Sequence, residues 1–213
     1  MGPAATKNIR GKNIKPIDKS SFDLDYVGVK APQFSFMRLK GSDPVLGVEM
    51  ASTGEVACLG DDFNEAFLKS LISTGFKIPN KTILLSTGPI GSKAEFLEST
   101  KILNNMGYRF YATGGTADFM KSNNIPVEIL YWPSEEKEPN TLTYIADGKI
   151  DFVINIPKNI EKEELDNDYL IRRKSVDFDV PLITNLQLAK RFVEAIQRTK
   201  LDDLKIKSWD EYN

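Results

Sequence analysis

Tyr108-Arg109-Phe110-Tyr111-Ala112-Thr113-Gly114-Gly115-Thr116 is the stretch on which the reading of this chain turns. Its aromatic first half suits a half-buried pleated surface and reads as a strand. Thr116 then N-caps a short helix that runs through Asp118, Phe119, Met120 and Lys121. A strand that passes through Gly-Gly into a helix N-terminus is suited to an anion. Glycines admit close backbone approach, unpaired N–H groups point at the ligand, and the helix dipole favours negative charge. The hydroxyls of Thr113 and Thr116 add donors. The competing reading is a Gly-Gly that only makes a tight turn between strand and helix.

Outward from this stretch the strand-then-helix unit repeats. Upstream, Thr82-Ile83-Leu84-Leu85-Ser86 is a continuous apolar strand, followed by a Gly88-Pro89-Ile90-Gly91-Ser92 loop. A helix carrying Phe96, Leu97, Ile102 and Leu103 comes next and ends at Gly107. Downstream, Val127–Tyr131 is a third strand leading into Trp132-Pro133-Ser134, with a helix from about Leu142 to Asp147. Asp151–Asn155 is a fourth strand, Tyr169–Val176 a helix, and Pro181–Asn185 a fifth strand. Leu188, Ala189, Phe192, Val193 and Ile196 mark the last helix. Five apolar strands alternating with helices predict an α/β fold with a doubly wound, mostly parallel five-stranded sheet. Ligands in such sheets sit beyond the carboxyl ends of the strands, at a switch point. That rule gathers Lys93, Thr113 to Thr116, Trp132, Asn155 to Lys158, and Thr184 onto one rim.

The first 78 residues have a different character. Residues 1–25 are polar and lysine-rich, a loosely held lead-in. Tyr26–Lys30 and Gln33–Met37 read as short strands separated by Ala31-Pro32, Gly41-Ser42-Asp43-Pro44 as a turn, and Gly54–Gly60 as a further strand. Asp62 caps a helix with Phe63, Ala66, Phe67, Leu71 and Ile72 on its apolar face, ended by Gly75. A small mixed α/β segment over 1–78, followed by the sheet domain over 79–213, is the expected organisation, with the joint near Lys77–Lys81.

Composition narrows the chemistry. The 213 residues are 41% hydrophobic and 27% charged, as in ordinary globular proteins, and 28 basic against 30 acidic residues give a net charge of −2. Nothing there points to nucleic acid or a membrane as partner. No apolar run approaches the roughly 18–20 residues that span a bilayer, and no secretory signal pattern opens the chain. Cys58 is the single cysteine, which fits a reducing compartment, and histidine is absent. A zinc site of the Cys/His kind and Ser-His-Asp or Cys-His catalysis are therefore excluded.

Each candidate residue has a plain alternative. The Gly88–Lys93 loop lacks the GxxxxGK[ST] spacing of a triphosphate loop, but Lys93 can neutralise a phosphate as a point charge or stand as a solvated lysine. Trp132 either stacks on a ligand or forms a Trp-Pro packing corner. Asn155 offers amide groups at the rim or caps backbone. Arg172-Arg173 can bind an anion, although pairing with the acidic run from Glu161 to Asp168 is the expected use. Glu135-Glu136 carry little catalytic weight without a histidine partner.

Several runs resemble one known family. Lys30-Ala31-Pro32-Gln33-Phe34-Ser35-Phe36, Asp43-Pro44-Val45-Leu46 and Glu49-Met50-Ala51-Ser52-Thr53-Gly54-Glu55-Val56-Ala57 resemble the end of the second ATP-grasp half of the carbamoyl-phosphate synthetase large chain. Ser73–Pro79 is similar to the joint in eukaryotic members, and Ala5-Thr6-Lys7 to the helix after the ATP-grasp metal motif. From about Lys81 the chain resembles the C-terminal regulatory domain, which has a methylglyoxal-synthase-like fold. The resemblance implies that the residues holding ATP and the divalent metal lie upstream of residue 1, so that this chain has no cofactor and no catalytic residue of its own. Methylglyoxal synthase chemistry uses histidine and a loop aspartate; here there is no histidine, and the loop position falls near Lys137.

The resemblance also implies an effector site. The phosphate- or carboxylate-binding Thr-x-x-Thr turn carries to Thr113, Gly114, Gly115 and Thr116, and the phosphate-binding lysine of nucleotide-regulated members to Lys93. The tryptophan and one asparagine of the acyl-glutamate pocket carry to Trp132 and Asn155. Two further pocket asparagines are Lys158 and Asp168 here. Gly115–Phe119, Asp177-Phe178 and Val180–Ile183 are more similar to pyrimidine-pathway members. The expected ligand is thus a uridine nucleotide or phosphoribosyl pyrophosphate. N-acetylglutamate is the alternative, and an assembly module with a vestigial pocket a third. Expected partners are the small-molecule effector, the rest of the synthetase, a glutamine amidotransferase subunit or domain, and a second copy of the chain. The implied location is the cytoplasm, or the mitochondrion for the ammonia-dependent type.

Overall fold

The structure is a computed structural model that describes residues 9–13, 24–45, 52–157, 162–208 and 211–212. Most of the lead-in, Glu49–Ala51, Lys158 and the side chains of residues 161–165 lie outside the described residues. Five parallel strands form the main sheet: β3 (Thr82–Thr87), β4 (Arg109–Thr113), β5 (Glu128–Leu130), β6 (Phe152–Ile156) and β7 (Leu182–Ile183), in the order β5-β4-β3-β6-β7. A separate antiparallel pair, β1 (Val27–Gln33) and β2 (Gly54–Gly60), precedes it. The expected doubly wound α/β architecture is therefore the observed one. The helices are α1 (Phe63–Ser73), α2 (Ile90–Asn105), α3 (Gly114–Ser122), α4 (Thr141–Ala146), α5 (Lys162–Asp177) and α6 (Leu186–Arg198).

Strand alternation sorts the core into two layers. Ile83 and Leu85 of β3, Phe110 and Ala112 of β4, and Phe152, Ile154 and Ile156 of β6 face one side. There they meet Phe96 and Leu103 of α2, Ala117 and Met120 of α3, and Phe192 and Val193 of α6. Leu84 and Val153 face the other side, against Ile145 of α4 and Ile171 of α5. The same period of two decides where the polar strand ends point. Ser86, Thr113 and Asn155 continue the α5 face, and Thr87 continues the α3 face. Helices change sides between β3 and β6, so the switch point lies at the carboxyl ends of these two strands.

Helix α1 contributes Phe67, Leu68 and Leu71 to the first layer, while Phe63 and Ile72, expected on the buried face, are each 42% exposed. Asp62 caps α1 by accepting from the Glu65 N–H at 2.9 Å, as its sequence suggests. Gly75 and Gly107 follow α1 and α2 with φ of +88° and +89°, values that favour glycine.

Three local expectations change. β1 runs unbroken through Ala31-Pro32, because it pairs with β2 along one edge, where a proline without an N–H is tolerated. Phe36 and Met37, expected as the end of a strand, belong to a single 3-10 turn over Phe36–Arg38. Helix α5 begins at Lys162, well before Tyr169, because its first half is charged and carries no apolar periodicity.

The carboxyl-terminal tail returns to α1 through Glu65. This side chain accepts from Lys69 Nζ at 2.8 Å, the Asp61 N–H at 2.6 Å and the Lys205 N–H at 3.3 Å. Burial pushes its carboxyl up, but the bonds from Lys69 and the two backbone N–H groups outweigh this and hold it below the ordinary 4.5. A depressed carboxylate contributes stability above its unfolded value and loses it as pH falls through the folded value. Urea midpoints of the wild type should therefore fall on acidification below about pH 4.5 more steeply than those of Glu65→Gln. At pH 7 the variant should be roughly 1–3 kcal/mol less stable, because it loses charge-assisted bonds.

Candidate functional site

At the switch point, residues that are far apart in sequence close on a cleft of about 140 Å³. Its walls are the ends of β3 (Ser86, Thr87), Lys93 of α2, the Thr113–Thr116 turn, Trp132 and Asp168 of α5. Drug-sized pockets run to roughly 300–1,000 Å³, so this space suits the anionic head of a ligand with the remainder outside. A larger groove of about 470 Å³ lies between the Phe34–Arg38 turn and the start of α6. Thr184, expected at the candidate rim, lines that groove instead.

Helix α3 starts at Gly114 with Thr113 in the N-cap position, and no side chain caps it. Thr116, expected as the N-cap, is inside the first turn. The reason is its hydroxyl, which accepts from the Thr87 N–H and donates to the Thr87 carbonyl, each at 3.2 Å. Thr116 thus stitches the end of β3 to α3. Gly114 and Gly115 take helical backbone, so neither is a left-handed turn residue. A Cβ at Gly115 would lie 3.3 Å from Lys93 Nζ, whereas one at Gly114 would meet nothing within 4 Å. Gly115 is there for close approach.

Lys93 Nζ donates to the Gly115 carbonyl at 2.9 Å, which places an ammonium over the amino end of α3. Lys93 also lies in the first turn of α2, and neither α2 nor α3 has an acidic residue in its first turn. Two positive helix ends and a lysine therefore converge with no acidic residue in the first turn of either helix.

The opposite wall is polar and buried. Thr113 Oγ1 donates to Ser86 Oγ at 3.4 Å, and Ser86 Oγ donates to Asp168 Oδ1 at 3.3 Å. Asn155, fully buried and paired in register with Ser86, donates from Nδ2 to Asp168 Oδ1 at 2.7 Å. Its Oδ1 accepts from Arg172 Nη1 at 2.9 Å. Among the described residues, Asn155 reaches the cleft through Asp168. Trp132 is half-buried and packs on the α4–α5 layer while one side lines the cleft. Its turn is pinned by Asn167, which accepts from the Ser134 N–H at 3.0 Å and donates to Ser134 Oγ at 2.8 Å. Glu135 accepts from the Trp132 N–H.

Among the described residues Arg172 and Arg173 have other partners than the Glu161–Asp168 run, whose side chains up to 165 lie outside the described residues. Arg172 forks onto Asp43, with Nε to Oδ1 at 2.8 Å and Nη2 to Oδ2 at 2.6 Å. Arg173 binds Asp177 and the carbonyls of Phe36, Leu39 and Ser42. A carboxylate 129 positions away satisfies the buried guanidinium with a two-point fork. Ser86 and Thr87 escaped the reading from sequence. Their signal was a run of apolar strand residues ending in two hydroxyls.

Comparison with known proteins adds the following. Residues 95–184 match the MGS-like domain family. The chain is 44% identical over 203 residues to "Carbamoyl-phosphate synthase [ammonia], mitochondrial" of Homo sapiens, a match covering 93% of this chain and 13% of that protein. It is 48% identical over 197 residues to "Multifunctional protein pyr1-3" of Dictyostelium discoideum, covering 87% of this chain and 9% of the relative. With "Multifunctional protein URA2" of Saccharomyces cerevisiae it shares 47% over 203 residues, again 91% of this chain and 9% of the relative. The chain thus spans about a tenth of the length of these relatives.

Proposed function

Because the chain carries the MGS-like domain of carbamoyl-phosphate synthase homologues, we propose that it is the effector-binding regulatory region of such a synthetase. The effector is a phosphorylated molecule, a uridine nucleotide or phosphoribosyl pyrophosphate. It shifts the synthetase between two states by binding them with different affinity. One observation carries the reading: Lys93 stands over the amino end of α3, where Gly115 leaves it room. An anion there receives the free N–H groups of α3 and the lysine charge together. The ATP, metal and carbamoyl chemistry belong to the rest of the synthetase, and the amidotransferase and synthetase portions are the partners of this region.

Isothermal titration of the 213-residue chain with uridine triphosphate and with phosphoribosyl pyrophosphate tests the proposal. Saturable heat with at least one is the expected result, and silence with both overturns it. The position of Trp132 on the cleft wall favours a second reading, in which N-acetylglutamate is the ligand. Binding of that compound, lost in Trp132→Ala, would replace the first reading with the second.

A further inference from the structure

Helix α5 touches two regions, the cleft and the Phe36–Asp43 segment, and it does so through one row of residues. Asn167 and Asp168 form part of the cleft structure at one end. Tyr169, directly after them, and Arg172 and Arg173 about one turn later hold the Phe36–Asp43 segment. Tyr169 Oη donates to the Gly41 carbonyl at 2.9 Å, and Arg173 Nη1 reaches the carbonyls of Phe36, Leu39 and Ser42, each at 3.2 Å. Arg172 joins the two ends. Its buried guanidinium holds Asp43 with Nε and Nη2 and Asn155 with Nη1, and Asn155 holds Asp168.

We propose that this row is a two-ended relay, in which Arg172 transmits the state of the cleft to the hold on residues 36–43. The inference rests on the effector reading for the ligand that sets that state. The physical basis is rigidity. A guanidinium is planar, so it cannot follow a shift of Asn155 without losing alignment on Asp43. An amide engaged at both its oxygen and its nitrogen cannot rotate without breaking one bond, and each loss inside the protein is costly. A ligand donor that draws on Asp168 therefore competes with Asn155 and loosens the fork on Asp43. By reciprocity, loosening Asp43 changes the affinity of the cleft. Arg172 is a positioning residue here: it does not line the cleft.

The test has a ligand-free part and a ligand part. In the free chain, Asp168→Asn should speed amide exchange across residues 39–43 at least threefold, whereas Asp147→Asn, at the carboxyl end of α4, should not. Asp43→Asn changes a half-exposed residue. It should shift the emission of Trp132, read in a Trp209→Phe background, even if Asp168→Asn fails to fold. Unchanged exchange in folded Asp168→Asn, or unchanged emission in Asp43→Asn, overturns the relay. With ligand, Asp43→Asn should alter the affinity for uridine triphosphate or phosphoribosyl pyrophosphate at least threefold, and equal affinity also overturns it. Failure of the wild type to bind either compound overturns the effector reading instead, and the ligand-free part then judges the relay alone.

Discussion

Phe152→Ala is expected to destabilise the protein by roughly 3–5 kcal/mol, the range for deleting a buried aromatic ring. Phe152 is fully buried on β6 and meets the edges of two other rings: Phe76 at 5.7 Å and 81°, and Phe192 at 5.2 Å and 64°. Phe76 and Phe192 are themselves 5.4 Å apart, so the three rings close a triangle. Each corner comes from a different part of the chain: the stretch after α1, the central sheet, and α6. The ring removed is therefore one that joins the amino-terminal segment to the sheet, and its neighbours are held too firmly to fill the space. For a chain of this size, the loss corresponds to a fall in melting temperature of about 6–20 °C by circular dichroism. Phe152→Leu should recover most of it, since volume is largely kept. A fall below about 3 °C for the alanine variant would show that the triangle is not a joint.

The three rings also show what could be read from the sequence and what could not. Phe152 lies in an apolar run that could only be a buried strand, and Phe192 in a helix whose apolar residues recur at helical spacing. Periodicity is a local property, so the strands of the sheet and their order of alternation were legible, and with them the rim where ligands sit. Lys93, Thr113–Thr116 and Trp132 follow from that rule, and the cleft collects them. What periodicity cannot carry is the partner of a polar group. Arg172 looks the same in sequence whether it pairs along its own helix or with Asp43. The choice is made by burial, which removes water as the competing partner and rewards the planar fork. Thr116 looked like a cap because threonine often caps, yet the backbone of Thr87 lay closer. The start of α5 was hidden for the converse reason, a charged surface with no apolar stripe to mark it.

Lys93→Ala should weaken binding of the phosphorylated effector about 10- to 150-fold, the equivalent of losing one charge-assisted bond of about 1.5–3 kcal/mol. Its own stability should fall by no more than about 1.5 kcal/mol, the net worth of a typical hydrogen bond, because the half-buried lysine gives up a surface bond to the Gly115 carbonyl. The binding deficit should shrink as salt is raised, since screening weakens the same attraction in the wild type. Gly115→Ala is the sharper companion. Its new Cβ would press on Lys93 Nζ from 3.3 Å, and the flexible lysine can yield, so the helix should form as before. Alanine is the better helix residue by up to about 1 kcal/mol, so the melting temperature should hold or rise while affinity falls. The double variant then separates two causes. If Gly115 matters because it lets Lys93 approach, adding Gly115→Ala to Lys93→Ala costs no further affinity, and the two changes are strongly non-additive. If the losses add, the methyl group obstructs the ligand itself, and the close contact of lysine and glycine is incidental to binding.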